Sequence, residues 1–170
     1  MWLKVMKFVA PVFVVAPFLI LACSSAKDSS KFASEAAQGG MAEVELGRLA
    51  AQRATDPSVR EFGQRMVADH SKAGAELRAI ASRKNLQLPN DMTSAQKSER
   101  DKLAKLSGAE FDKEYMSAMV KDHEDDVKAF ETQSKDGNDA DMKAFAAKTL
   151  PTLQEHLQMA RDAAQKVGAK

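Results

Sequence analysis

Residues 85–108 read NLQLPNDMTSAQKSERDKLAKLSG, and this stretch decides the fold. It opens with a loop around Pro89. Ser94 to Leu106 then carries a short helical pattern, which Ser107-Gly108 ends. On either side the chain is alanine-rich and poor in β-branched residues, a composition that favours helix. Two long helices are predicted before it and two after it. The flanking pairs are joined by tight turns, Thr55-Asp56-Pro57 and Asp136-Gly137-Asn138, whereas the middle connection is long. A four-helix bundle with one long crossover is the ferritin-like arrangement. The predicted fold class is therefore all-α: a ferritin-like four-helix bundle over residues 31–168, with a long crossover that carries a short extra helix. The second and third long helices should run parallel, with the first and fourth against them.

The first long helix is predicted from about Lys31 to Arg53, interrupted at Gly39-Gly40, where glycine costs roughly 1 kcal/mol against alanine. The second starts with Asp56 as cap and Pro57 in its first turn and runs to about Lys84. Its apolar stripe is Val59, Phe62, Met66, His70, Ala73, Leu77 and Ile80, at spacings of three and four. The third runs from about Ala109 to Gln133 on Phe111, Tyr115, Met119, His123, Val127 and Phe130. The fourth runs from near Asp139 to about Lys166 on Met142, Phe145, Thr149, Leu153, His156 and Ala160, with a kink expected near Thr149 because Pro151 lies inside it. A weak repeat relates the middle two long helices: an aromatic residue, three positions, then Met-Val-x-Asp-His, recurring 53 positions apart.

His70, His123 and His156 are the only histidines, and all three fall on apolar stripes. At 1.5 Å per residue, His70 and His123 lie roughly 20 Å into their helices, while His156 and Glu43 lie roughly 15 Å from the ends of theirs. In the crossover topology these four side chains share one layer of the bundle. One carboxylate and three imidazoles buried together are costly unless paired. One solution is an ion: three His and one Glu suit Zn²⁺ or another first-row ion such as Fe, and the sulfurs of Met66 and Met119, one turn before their histidines, would tilt the choice toward Cu. The other is a metal-free hydrogen-bonded cluster in which Glu43 holds one or more imidazoles. Asp69 and Asp122 point about 100° away from the neighbouring histidines and read as solvated, as does Glu124-Asp125-Asp126.

The N-terminus bears on location. Lys4 and Lys7 precede an apolar run, Phe8 to Leu21, that is broken by Pro11 and Pro17, and Ile20-Leu21-Ala22-Cys23 follows. A positive start, a short apolar stretch and a small residue before the cut mark a signal peptide over residues 1–22. Ile-Leu-Ala-Cys resembles the lipobox of bacterial lipoproteins, which implies acylation of Cys23, the only cysteine, and attachment to a membrane. Ser24 after it implies sorting to the outer membrane, facing the periplasm. Residues 23–30 would be a polar tether. Loss of Lys4 and Lys7 leaves 23 basic residues against 24 acidic ones, moving the formal charge from +1 to −1. No basic cluster remains, which excludes a nucleic-acid partner; the sequence names no protein partner.

Glu43-Val44-Glu45-Leu46-Gly47-x-Leu49-Ala50, the two Met-Val-x-Asp-His elements and Leu150-Pro151-x-Leu153-x-x-His156-Leu157 together resemble a widespread bacterial family of exported helical bundles. That family is catalogued only as a domain of unknown function and is often labelled as membrane or outer-membrane proteins. The resemblance spans about Phe32 to Ala164 and implies a ferritin-like bundle without an established activity. The chain departs from the ferritin di-iron pattern, which needs Glu-x-x-His on two helices: Val67 and Leu153 stand three before His70 and His156. No catalytic serine or cysteine, phosphate loop or paired-carboxylate motif stands out.

Overall fold

The computed structural model describes residues 20–169, with side chains from Asp28 onward. It is all-helical over that range: α1 (Ile20–Arg53), α2 (Pro57–Arg83), α3 (Ser94–Leu103), α4 (Gly108–Asp136) and α5 (Ala140–Val167). The predicted signal segment falls almost wholly outside the described residues, and Cys23 lies in the opening turns of α1 with its side chain outside them. Among the described residues no helix is long and apolar enough to cross a membrane.

The helix ends follow local chemistry. Asp56 caps α2 by accepting from the Ser58 N–H, with Pro57 in the first turn. Thr93 and Gln96 close a reciprocal capping box on α3. Asp139 caps α5 through the Asp141 and Met142 N–H groups, and Gly168 ends it in the left-handed region. Two local expectations differ from the structure. Helix α1 begins at Ile20, so residues 24–30 are helical rather than a free polar tether, and Ser29 is buried. That stretch holds no Pro or Gly to stop the helix, and alanine, lysine and serine propagate it. The helix also passes through Gly39-Gly40 unbroken, and a Cβ at either glycine would meet nothing within 4 Å. Helix α5 holds Pro151 inside its span, as the sequence places it.

The four long helices pack as two antiparallel hairpins, α1 with α2 and α4 with α5, joined by lighter α1–α4 and α2–α5 contacts. Two apolar clusters fix the directions. One gathers Ala54 from the end of α1, Val59 and Phe62 from the start of α2, Phe111 and Tyr115 from the start of α4, and Ala160 and Ala163 from the end of α5. The other gathers Phe32, Ile80, Phe130 and Met142 from the opposite ends. Thus α2 and α4 run parallel, with α1 and α5 against them, and α3 carries the chain back along the bundle. The α1–α2 turn is pinned to α4 by buried Asp112, which accepts from the Thr55 and Asp56 N–H groups at 2.8–3.2 Å. Within the first hairpin Gly47 and Gly63 face each other. A Cβ on Gly63 would stand 2.8 Å from the Gly47 carbonyl oxygen, so only glycine permits this helix spacing.

Candidate metal centre

Between the two apolar clusters lies a polar layer. Glu43, His123 and His156 are almost completely buried and His70 nearly so. One residue comes from each long helix, as the helix heights predict. The imidazole centroids form a near-equilateral triangle with sides of 5.3, 5.5 and 5.8 Å. One ring nitrogen from each histidine lies within 4.8 Å of the other two.

The rings are oriented by groups around them. His123 Nδ1 lies 2.9 Å from the Met119 carbonyl, which can only accept, so Nδ1 carries the proton and Nε2 keeps its lone pair. His156 Nε2 lies 2.9 Å from Asp69 Oδ2 across the α2–α5 interface, which leaves Nδ1 as the free nitrogen. Asp69 is held in turn by Arg65. Glu43 spans the layer: Oε2 stands 2.6 Å from His70 Nδ1 and Oε1 stands 3.4 Å from His123 Nε2, neither with the alignment of a hydrogen bond. His70 Nε2, His123 Nε2 and His156 Nδ1 are therefore buried with no hydrogen-bonding partner. Each unsatisfied buried group of this kind costs about 1–3 kcal/mol.

Burial dominates the electrostatics. It lowers the basicity of all three imidazoles, that of His123 to about 3, so they are neutral at pH 7. It raises the Glu43 carboxyl well above the usual range, and the charge of Asp122 adds to this. Asp126, one turn beyond His123, faces Glu43; burial and the Glu43 charge raise it too, and one proton between the two carboxyls would bond them. For Asp69, burial alone would raise the carboxyl, but hydrogen bonds from Arg65 and His156 outweigh it and hold it below the ordinary value.

These features fit a transition-metal ion. Three neutral imidazoles offer lone pairs from three helices, and Glu43 Oε1 stands 3.4 Å from His123 Nε2 as a candidate fourth donor. A carboxylate and a backbone carbonyl fix two of the tautomers, the outer arrangement that metal-ligating histidines use. Nitrogens bound to a tetrahedral ion at 2.0–2.1 Å sit about 3.3 Å apart, so the rings would need to draw in by at most about 1.5 Å. Met66 and Met119 are buried in the apolar cluster with Phe62 and Tyr115.

Three carboxylates differ from the sequence reading, Asp122 among them: it is half-buried and its charge acts on Glu43. Asp69 is not a solvated side chain; it points across to α5 and orients His156. Asp126 is half-buried against Glu43 rather than part of a solvated run. The signal for Asp126 was its spacing of three from His123, masked by the acidic run in which it lies. The signal for Asp69 was the repeated Asp-His pair. Under the pseudo-twofold that relates α2 to α4 and α1 to α5, Asp69 faces His156 where Asp122 acts on Glu43.

The model of the domain of unknown function DUF4142 matches residues 22–163, which include all four residues of this layer. The chain belongs to the DUF4142 family. Two solved structures resemble this DUF4142 bundle in fold. A DUF305 fragment from Deinococcus radiodurans aligns with a TM-score of 0.72 at 12% identity, covering 82% of this chain and 96% of that one. A DUF305 protein from Streptomyces coelicolor, described as secreted, aligns with a TM-score of 0.71 at 17% identity, covering 84% of this chain and 95% of that one. No curated protein matches the chain.

Proposed function

We propose that this DUF4142 protein is an exported, lipid-anchored protein of the cell envelope whose bundle core binds one transition-metal ion, Zn, Cu or Fe, as a buffer or sensor. His70, His123 and His156 are the ligands, with Glu43 as the fourth. The observation that carries this reading is the convergence of three partnerless imidazole nitrogens, two of them oriented by Asp69 and the Met119 carbonyl. Export is supported by the leader pattern before Cys23 and by the secreted description of the Streptomyces coelicolor structure. Acylation of Cys23 and an outer-membrane position facing the periplasm complete the reading.

The test is elemental analysis of the mature protein purified without chelator, followed by titration with Zn²⁺ and Cu²⁺. Protein that is metal-free and stays so through both titrations ends the metal reading. Lipidation is tested separately by labelling cells with a fatty-acid probe and comparing Cys23→Ser, which should lose the label.

A second reading has one observation in its favour. With Glu43 sharing a proton and the imidazoles neutral, the layer carries little charge and can persist as a metal-free polar core of a protein that acts through its surface. The three partnerless nitrogens count against it, because a hydrogen-bonded core would engage them.

A further inference from the structure

One side of the polar layer opens to solvent. A cleft of about 110 Å³ between α2 and α5 reaches both His70 and His156. The cleft is framed along its length by two ion pairs that bridge the helices: Lys148 to Glu76 at 2.8 Å on one side and Arg65 to Glu155 at 3.3 Å on the other. Between them lie the Lys72 ammonium and the Thr152 hydroxyl, which no described residue engages. Glu43 stands on α1, away from this mouth, so its carboxylate does not fill the position that the cleft faces.

A structural metal site is closed by four protein ligands, whereas a reactive one keeps a position for an exogenous ligand. Resting on the metal reading above, we infer that the α2–α5 cleft is the approach to an open coordination position, and that it admits a small anion to an ion held by the three histidines. The volume takes a ligand of two or three heavy atoms together with water. The ion's own charge and the Lys72 ammonium favour an anion over a cation of the same size, the lining carboxylates Asp69 and Glu76 being paired with Arg65 and Lys148, and the Thr152 hydroxyl can donate to it. The binding step is a ligand exchange: a lone pair of the anion enters the coordination sphere and a bound water leaves.

The experiment loads the mature protein with Co²⁺ or Cu²⁺, establishes the stoichiometry by elemental analysis, and titrates azide while recording the visible spectrum. The expected result is a saturable spectral change in the wild type. In Thr152→Trp, which plugs the mouth, the azide affinity should fall at least about tenfold with the metal content unchanged. Lys72→Glu alters only an exposed side chain and keeps the comparison valid if the tryptophan variant does not fold; it should weaken azide several-fold. A loaded wild type whose spectrum ignores azide overturns the open position, and a full azide response in both variants overturns the cleft as its approach; either leaves the metal reading standing. Failure to take up either ion overturns the metal reading and this inference with it.

Discussion

Gly63→Ala tests the geometry that holds Glu43 against His70. The new Cβ would stand 2.8 Å from the Gly47 carbonyl oxygen, 2.8 Å from the Ala50 Cβ and 3.1 Å from the Ala51 nitrogen. None of these atoms can rotate aside, because all belong to the backbone or are rigidly attached to it. Restoring ordinary contact near 3.4 Å requires α1 and α2 to part by about 0.6 Å. Overpacking of this kind costs about 1–3 kcal/mol, while replacing a mid-helix glycine by alanine returns roughly 1 kcal/mol. Gly39→Ala isolates the second quantity, since a Cβ there meets nothing within 4 Å. Urea unfolding in EDTA, followed by far-ultraviolet circular dichroism, should show Gly39→Ala more stable than wild type by roughly 1 kcal/mol. Gly63→Ala should lie about 1–3 kcal/mol below Gly39→Ala. It should also bind Zn²⁺ more weakly, because Glu43 lies one turn before Gly47 and the widened hairpin carries it away from His70. A Gly63→Ala protein as stable as Gly39→Ala would refute the argument that close helix approach sets the site.

Asp69→Asn should reduce Zn²⁺ affinity by about 10–100-fold in a competitive chelator titration while leaving the stoichiometry at one, since it weakens the orientation of His156 and not a ligand bond. Zn²⁺ binding should strengthen as pH rises and should release protons, measurable by calorimetry in buffers of different ionisation enthalpy, because burial raises the Glu43 carboxyl without the ion and a metal-bound carboxylate is ionised. In Glu43→Gln/Asp126→Asn, the two carboxyls raised furthest are gone, Asp122 alone of the raised carboxyls remains, and the histidines dominate. A folded-state value depressed to about 3 for His123 contributes stability above an unfolded value near 6.5, and that stability is lost as pH falls from there. The double variant in EDTA should therefore lose about 2 kcal/mol from His123 alone between pH 7 and 5, and the wild type less. A flat profile in the double variant would contradict neutral burial of the histidines.

The bundle and its topology were legible because the crossover from Asn85 to Gly108 is too long for a hairpin and the four stripes have helical period. Counting residues along each helix also placed Glu43, His70, His123 and His156 in one layer, since rise per residue is nearly constant. What lay outside the reach of pattern was orientation. Asp69 and Asp126 are ordinary acidic residues on a helical wheel, and their roles depend on which neighbouring helix stands opposite. Gly39-Gly40 and Gly47 are likewise indistinguishable as letters. Only the approach of Gly63 separates the glycine that is needed for packing from the pair that faces open space.

The division of the bundle into two hairpins has a mechanical consequence. Glu43 and His70 ride on α1 and α2, and His123 and His156 ride on α4 and α5, while the contacts between hairpins are the lighter ones. A single ion bound at that layer would act as a clasp across the weaker seam. Its largest effect would then fall on how fast the two halves separate, so occupancy would be registered as lifetime of the closed bundle rather than as a change in its shape.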